Sequence, residues 1–203
     1  MRRPLFIARQ AGRPSGWLGR FLGWVMAHET APENARTLEL LDIQPADHVL
    51  EVGFGPGRAI ARAVTLAHQG HVSGFEVSDQ MLEMASGHNE NAVREGRVDL
   101  QRADGPDLPY RDASFDRAYS VHTLYFWRDA APRLREIHRV LKPAGRFVLT
   151  FRYGEGVVAN FPAAIYTHRR PDEVVSLLQK AGFLAVLVHE DPPLYFAVAD
   201  RTG

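Results

Sequence analysis

A glycine-rich turn is the part of the sequence best suited to hold a ligand. Gly53, Gly55 and Gly57 follow the apolar run 49–52 and precede a segment that predicts a helix over about residues 58–68. Glycine lets the backbone turn tightly and approach a ligand closely, and the start of a helix adds unpaired N–H groups. The pattern predicts that a small molecule binds where this strand ends and the helix begins.

Two carboxylates near this turn indicate which ligand it suits. Glu51 precedes the first glycine by two positions, and Glu76 ends the second predicted strand. The glycine spacing is G-x-G-x-G, whereas pyrophosphate-binding dinucleotide enzymes use G-x-G-x-x-G. A charge at Glu51 would oppose a pyrophosphate and suits a ligand with an ammonium and a sulfonium. A carboxylate at Glu76 can accept hydrogen bonds from both hydroxyls of a ribose.

The order of predicted elements indicates an α/β fold. Over residues 46–203, short apolar runs alternate with amphipathic segments, which is typical of parallel strands connected by helices. Residues 183–189 and 194–199 predict two strands whose linker is too short for a helical crossover, so they must be antiparallel. We expect a Rossmann-like, seven-stranded sheet that is mostly parallel, has an antiparallel C-terminal hairpin and carries helices on both faces.

Residues 1–45 predict an N-terminal helical appendage in front of this domain. The first fifteen residues are basic and contain glycine and proline, so we expect them to be irregular. Apolar residues in 17–26 follow helical spacing, and Thr30 with Glu33 predicts a capping box that opens a second helix. We expect the first of these helices to be a lid or cavity wall. Core packing, a membrane-surface contact and a dimer interface are the alternatives.

Residues 48–151 resemble the core of class I S-adenosylmethionine-dependent methyltransferases, in the branch with ubiquinone- and menaquinone-biosynthesis enzymes (the methyltransferase type 11 domain). Four segments carry the resemblance, in the order that the family has them: residues 50–57, 74–82, 103–104 and 136–145. Pro56, Glu76 and Ala144 depart from the family pattern, which usually has a small hydroxylic residue, an Asp and a Gly there. The resemblance implies that the chain binds S-adenosyl-L-methionine and releases S-adenosyl-L-homocysteine.

The resemblance also implies roles for individual residues. The glycines would contact the methionine moiety and the sugar, Glu51 would orient the loop and the ammonium, and Glu76 would hold the ribose. Asp104 would accept a hydrogen bond from the adenine amino group, and Ser120 would lie near the ammonium. The implied cofactor site comprises Glu51, Gly53, Phe54, Gly55, Gly57, Glu76, Val77, Met81, Ala103, Asp104 and Ser120.

The chemical step requires few protein groups. The enzyme mainly aligns a nucleophile with an already activated methyl group and excludes water. His122, after the fourth predicted strand, is the candidate general base because histidine titrates near neutral pH; simple packing at the cofactor is the alternative. Trp17, Phe21, Tyr125 and Tyr153 are the candidates for the wall of the substrate cavity, with ordinary packing as the alternative.

Composition narrows the range of partners. The chain of 203 residues has 24 Lys plus Arg and 24 Asp plus Glu, which argues against nucleic-acid binding driven by bulk charge. It has no cysteine, and its scattered histidines predict no metal site. No apolar run approaches the ~18 residues of a membrane span, and the N-terminal one is too short for a signal peptide. We expect a cytoplasmic monomer or homodimer without integral membrane association; a peripheral membrane contact stays open.

We therefore expect a methyltransferase that acts on a small, fairly apolar molecule. Residues 154–170 are rich in apolar and aromatic groups and predict a substrate-side insertion, whereas the arginines at 133, 135 and 139 predict a solvated helix face. Residues 120–123 lack the Asn/Asp-Pro-Pro-Tyr signature of amino methylases. A membrane-surface lipid or quinone methyltransferase, and a non-catalytic S-adenosylmethionine-binding interaction module, are the alternatives.

Overall fold

The structure is a computed structural model that describes residues 5–202, with some side chains of the N-terminal helices outside the description. Those side chains belong to Phe6, Arg9, Ala11, Trp17, Leu18, Leu22, Trp24, Met26, Ala27 and His28. The Trp17 side chain, predicted to line the substrate cavity, thus lies outside the described part of the chain.

Seven strands form one mixed sheet in the order β3-β2-β1-β4-β5-β7-β6. The first five strands pair in parallel, and β7 lies antiparallel between β5 and β6. This confirms the predicted Rossmann-like sheet with its antiparallel C-terminal hairpin. The strands are β1 (His48–Val52), β2 (His71–Glu76), β3 (Val98–Arg102), β4 (Phe115–Val121), β5 (Leu141–Arg152), β6 (Ala185–Asp191) and β7 (Leu194–Asp200).

Helices cover both faces of the sheet because both faces bury apolar side chains. One core cluster includes Leu38, Ile60 and Tyr119, and the other includes Leu134 and Phe147. A single 3-10 turn covers Leu124–Phe126. The helices are α1 (Leu5–Gly12), α2 (Gly16–Glu29), α3 (Ala31–Leu41), α4 (Arg58–Leu66), α5 (Asp79–His88), α6 (Glu90–Arg94), α7 (Ala131–Val140), α8 (Glu155–Asn160) and α9 (Pro171–Lys180).

The structure corrects three local predictions. Residues 5–12 are not irregular: they form α1, and Ala8 is fully buried in a core cluster. The capping box at Thr30 does not form, because the Thr30 side chain makes no cap hydrogen bond and Glu33 is buried against other partners. The predicted turn at residues 142–145 belongs to β5, where Ala144 has a positive φ of 63° and the pairing with β4 shifts register.

The sheet order places an opening beside β1. The chain runs outward from β1 through β2 to β3, then returns to the other side of β1 as β4. At such a switch point the connections leave in opposite directions and open a crevice at the carboxyl ends of the strands. The glycine-rich turn after β1, the end of β2 and the residues after β4 therefore meet at one edge of the sheet.

Gly70 provides a test of the packing at the opposite end of β2. A Cβ atom on Gly70 would overlap the carbonyl oxygen of Asp47, which is backbone and cannot rotate away. We expect Gly70→Ala to lower the free energy of unfolding by about 2 kcal/mol or more, measured by urea denaturation.

Gly87→Ala is the matched control for that experiment. Gly87 lies in α5, and a Cβ atom there would have nothing within 4 Å. Alanine has a higher helix propensity than glycine, so the free energy of unfolding of this variant should rise by roughly 0.5–1 kcal/mol. Equal losses in both variants would contradict the packing described for Gly70.

Candidate functional site

A cavity of about 630 Å³ opens at the edge of the sheet where β1, β2 and β4 end. Its wall combines the glycine-rich turn, the residues after β2 and β4, and part of the N-terminal helices. The residues predicted for the cofactor site that line this cavity are Glu51, Gly53, Phe54, Gly55, Glu76, Val77, Met81 and Asp104. His122, the candidate base, lines it as well.

Three residues predicted for the cofactor site are not part of the cavity wall. Gly57 begins α4 with a φ of 78°, and a Cβ there would press on Ala85. Ser120 is fully buried and donates a hydrogen bond to the Val52 carbonyl at 2.8 Å. Ala103 packs partly buried against a core cluster. These three residues shape the backbone around the cavity.

The residues predicted for the substrate cavity also separate. Tyr125 lines a second, smaller cavity of about 70 Å³, described below. Tyr153 is partly buried and packs on a core cluster. Phe21 is 56% exposed on α2 and lines neither cavity.

Glycine is required in the turn after β1 for two reasons. Gly53 has a φ of 78° and Gly55 a φ of 50°, a region that side chains with a Cβ disfavour. A Cβ on Gly53 would also collide with the Thr123 side chain, whereas one on Gly55 would meet nothing within 4 Å. The turn thus leaves room beside Gly55 in the cavity.

Glu76 holds this turn to the end of β2. Its Oε2 accepts a hydrogen bond from the Gly55 N–H at 3.0 Å, and its Oε1 accepts from the N–H groups of Val77 and Ser78 at 2.8 and 3.2 Å. Burial raises the pKa of Glu76, although these three donors lower it. The sequence indicated Glu76 as a ribose ligand, but gave no sign that the same carboxylate shapes the glycine-rich turn.

Glu51 is a buried carboxyl group at the cavity wall. Its Oε2 accepts a hydrogen bond from the Tyr119 hydroxyl at 2.7 Å. Burial raises the pKa of Glu51 to about 8; the Tyr119 hydrogen bond lowers it and the nearby Glu76 raises it. Glu51 is therefore mostly protonated at neutral pH, and a cation in the cavity would favour its charged form.

His122 connects the two cavities. It lines both, together with Thr30 and Phe126. The smaller cavity is walled mainly by aromatic rings, including Phe161 and Tyr166, whose centroids lie 5.0 Å apart. These shared lining residues place the two cavities next to each other at His122.

A buried glutamate orients His122. Glu33, on the first turn of α3, accepts from His122 Nε2 with one carboxylate oxygen and from the Arg152 guanidinium with the other. Burial raises the pKa of Glu33, but His122 and Arg152 together hold it below its usual value. Glu33 is therefore ionised and favours a hydrogen on Nε2; in the neutral tautomer that this selects, the lone pair lies on Nδ1.

Tyr125 faces that lone pair. Its hydroxyl lies 3.2 Å from His122 Nδ1, and its oxygen accepts the backbone N–H of Arg152. Burial raises the pKa of Tyr125 well above its ordinary value, so the hydroxyl keeps its hydrogen and donates it to Nδ1. The sequence gives no functional signal for Glu33, because its position three residues after Thr30 predicts a helix cap.

The N-terminal segment covers one side of the main cavity. Gly12, Arg13, Pro14 and Gly23 belong to its wall. Ser78 Oγ donates a hydrogen bond to the Pro14 carbonyl at 2.6 Å, and Arg13 forms an ion pair with Asp104 at 3.3 Å. These contacts attach the connection between α1 and α2 to the residues that follow β2 and β3.

The carboxyl groups in the wall of the main cavity suit a cationic organic ligand. Two buried carboxyl groups, Glu51 and Glu76, face it without a basic side chain within hydrogen-bond distance in the described structure.

Among the residues whose side chains are described, no three histidine or acidic groups are placed to hold a metal ion. Within residues 5–202, no helix has the length and apolar character needed to cross a membrane.

Comparison with known proteins identifies relatives of this chain. Residues 50–149 match the family described as a methyltransferase domain. The O-methyltransferase rstn1 of Aspergillus nomiae is 31% identical over 156 residues, which are 73% of this chain and 69% of that protein. The 27-O-demethylrifamycin SV methyltransferase of Amycolatopsis mediterranei is 32% identical over 130 residues, 64% of this chain and 46% of that protein.

The chain thus spans about two thirds of one relative and less than half of the other. Among solved structures, an S-adenosylmethionine-dependent methyltransferase of Aquifex aeolicus superposes with a TM-score of 0.70 at 21% identity, over 82% of this chain and 88% of that one. At this identity the superposition establishes a shared fold.

The raised pKa of Glu51 makes the stability of the protein depend on pH. The folded state binds a proton that the unfolded chain has already lost, so stability falls as the pH rises through 8. Between pH 7 and 9 the wild type should lose on the order of 1 kcal/mol. Glu51→Gln should not show this loss in chemical denaturation at each pH.

Glu90→Gln is the control, since Glu90 is exposed on α6. The stability of this variant should change with pH as that of the wild type does, because Glu51 and every other titrating group except Glu90 are retained. Parallel pH profiles for the wild type and Glu51→Gln would contradict a protonated Glu51 at neutral pH.

Proposed function

Because the chain belongs to the family of methyltransferases that share this domain, we propose that it is an S-adenosylmethionine-dependent O-methyltransferase of a small molecule. The observation that carries the proposal is the junction of two cavities at His122. The larger suits a cationic nucleoside, and the smaller suits an apolar acceptor.

The chemistry of the main cavity fits S-adenosyl-L-methionine. Its carboxyl groups would offset the positive charges of the ammonium and the sulfonium, and the open space beside Gly55 leaves room for a ligand against the backbone. We assign Glu51 to the ammonium, Glu76 to the ribose and Asp104 to the adenine amino group. Val77 and Met81 would pack against the base.

Oxygen as the acceptor atom is supported by the similarity to O-methyltransferases and by the side chains near His122. S-adenosyl-L-methionine supplies a methyl group on positively charged sulfur that is activated for attack. A hydroxyl acceptor must lose its proton as it reacts, which calls for a base. The Tyr125 hydroxyl passes its own proton to His122 Nδ1 and takes up the proton of the acceptor, so that His122 acts as the base through Tyr125.

Glu33 positions the base and stabilises its protonated form. In the charged ring both nitrogens carry hydrogen, and the ionised Glu33 beside Nε2 offsets the new charge. This is the role of the carboxylate in a hydroxyl–histidine–carboxylate arrangement. Arg152 holds the other oxygen of Glu33 and fixes the carboxylate in place.

The N-terminal helices act as the lid of the cofactor cavity in this proposal. The Ser78–Pro14 hydrogen bond and the Arg13–Asp104 ion pair close one side of it. Exclusion of water strengthens every electrostatic interaction inside the site and protects the reacting groups. The α1–α2 connection would serve that purpose.

Cofactor binding tests the first half of the proposal. In isothermal titration calorimetry with S-adenosyl-L-homocysteine, the wild type should bind, and Glu76→Ala should bind at least about tenfold more weakly because the ribose ligand and the support of Gly55 are lost. Glu90→Ala, an exposed control, should bind like the wild type. Absence of binding to the wild type at millimolar ligand would rule the proposal out.

Glu33→Gln tests the second half. With radiolabelled S-adenosyl-L-methionine and a panel of small hydroxylated aromatic compounds, the wild type should methylate at least one acceptor. The variant should lose about tenfold or more in kcat, because a neutral amide no longer stabilises the charged imidazole.

Its affinity for S-adenosyl-L-homocysteine should stay unchanged, since Glu33 does not line the main cavity. Glu39→Gln, an exposed position on the same helix, is the control. A kcat equal to that of the wild type would remove Glu33 from the catalytic arrangement. Transfer to no acceptor at all would favour a binding protein without turnover.

A further inference from the structure

Arg133 occupies an unusual place in the wall of the main cavity. It lies in the first turn of α7, is only 9% exposed and lines the cavity close to Asp104. Its guanidinium carbon lies 4.9 Å from the centre of the Phe75 ring and 5.9 Å from that of Trp127. The prediction of a solvated position is wrong for Arg133, whereas Arg135 on the same helix is exposed.

One donor of this buried guanidinium is unused. Arg133 Nη1 is buried and has no hydrogen-bond partner. Buried donors in folded proteins are nearly always paired, yet among the described residues this guanidinium has neither a hydrogen-bond nor an ion-pair partner while Arg133 lines the cavity. The two aromatic rings lie within cation–π distance of the guanidinium but accept no conventional hydrogen bond.

Stability of the fold does not explain this position. A cation near the N-terminus of a helix opposes the helix dipole, and burial lowers the pKa of Arg133, although Asp104, Asp107 and Glu136 raise it. An apolar side chain of similar length would fill the same space between Phe75 and Trp127 without an unpaired donor. The guanidinium is therefore better explained by a ligand than by folding.

Asp104 indicates which part of the ligand lies there. Under the proposed function, on which this inference rests, Asp104 accepts from the exocyclic amino group of adenine. Adenine carries ring-nitrogen acceptors beside that amino group, so an adjacent donor and acceptor in the protein complement its edge. Arg133 and Asp104 both line the cavity and interact electrostatically, so they can supply such a pair of opposite polarity.

We propose that Arg133 is a cofactor-binding residue whose guanidinium donates to a ring nitrogen of adenine and thereby recognises the base together with Asp104. The two side chains come from different elements, α7 and the loop after β3. Base recognition in this chain is then shared between both halves of the sheet.

The test is a set of binding measurements by isothermal titration calorimetry. The probes are S-adenosyl-L-homocysteine and its 1-deaza, 3-deaza and 7-deaza analogues, each of which replaces one ring nitrogen by C–H. The wild type should bind at least one analogue about tenfold or more weakly than the parent compound. Arg133→Met should bind the parent about tenfold more weakly, and its preference over that same analogue should disappear.

Two further variants keep the result specific. Arg135→Met makes the same substitution at an exposed position of α7 and should discriminate like the wild type. Arg133→Lys keeps the charge but loses the planar fork, so it should also lose the discrimination. The melting temperature of Arg133→Met should equal or exceed that of the wild type, an outcome that a purely structural role would not give.

The proposal is overturned if the wild type binds all three analogues as tightly as the parent, a result that needs no variant. It is also overturned if Arg133→Met discriminates as the wild type does, in which case the guanidinium faces another ligand. Failure of the wild type to bind S-adenosyl-L-homocysteine would instead remove the proposed function, so the two failures are distinguishable.

Discussion

The carboxylate of Glu76 is the interaction on which the candidate site depends. It receives backbone N–H groups from both sides of the crevice: Gly55 in the turn after β1, and Val77 and Ser78 after β2. The turn itself has positive φ angles that only glycine adopts readily, so it needs an external partner to hold one shape. One buried side chain thus joins two strands at the point where the sheet opens.

Charge is distributed unevenly around this centre. Carboxyl groups at Glu51 and Glu76 face one part of the cavity, and the guanidinium of Arg133 faces another. Glu51, with one hydrogen-bond partner, and Arg133, with an unpaired Nη1, are buried with less compensation than a folded chain alone would favour. The burial of these groups therefore costs folding free energy, and a ligand with complementary charges and acceptors would reduce that cost. Binding sites commonly lower stability in this way.

The sequence predicted the features that local pattern determines. The glycine spacing, the carboxylates next to it and the alternation of strands and helices are short-range signals, and the sheet followed from them. The contact between Glu33 and His122 joins residues 89 positions apart, so no local sequence pattern predicts it. The spacing of Thr30 and Glu33 instead predicts a capping box. The prediction that Arg133 is solvated fails for a related reason. Helical spacing alone does not show which neighbouring segment covers that side of α7.

The position of Glu33 in α3 has a consequence for how this protein can diversify. The turn that would hold the cofactor is encoded in residues 50–57, whereas the carboxylate that contacts His122 lies upstream of β1, in the same part of the sequence as the α1–α2 connection that lines the cavity. Changes upstream of β1 can therefore alter this wall and the position of the histidine together, while the β1 turn stays the same. Acceptor choice and proton transfer would then evolve as one exchangeable unit.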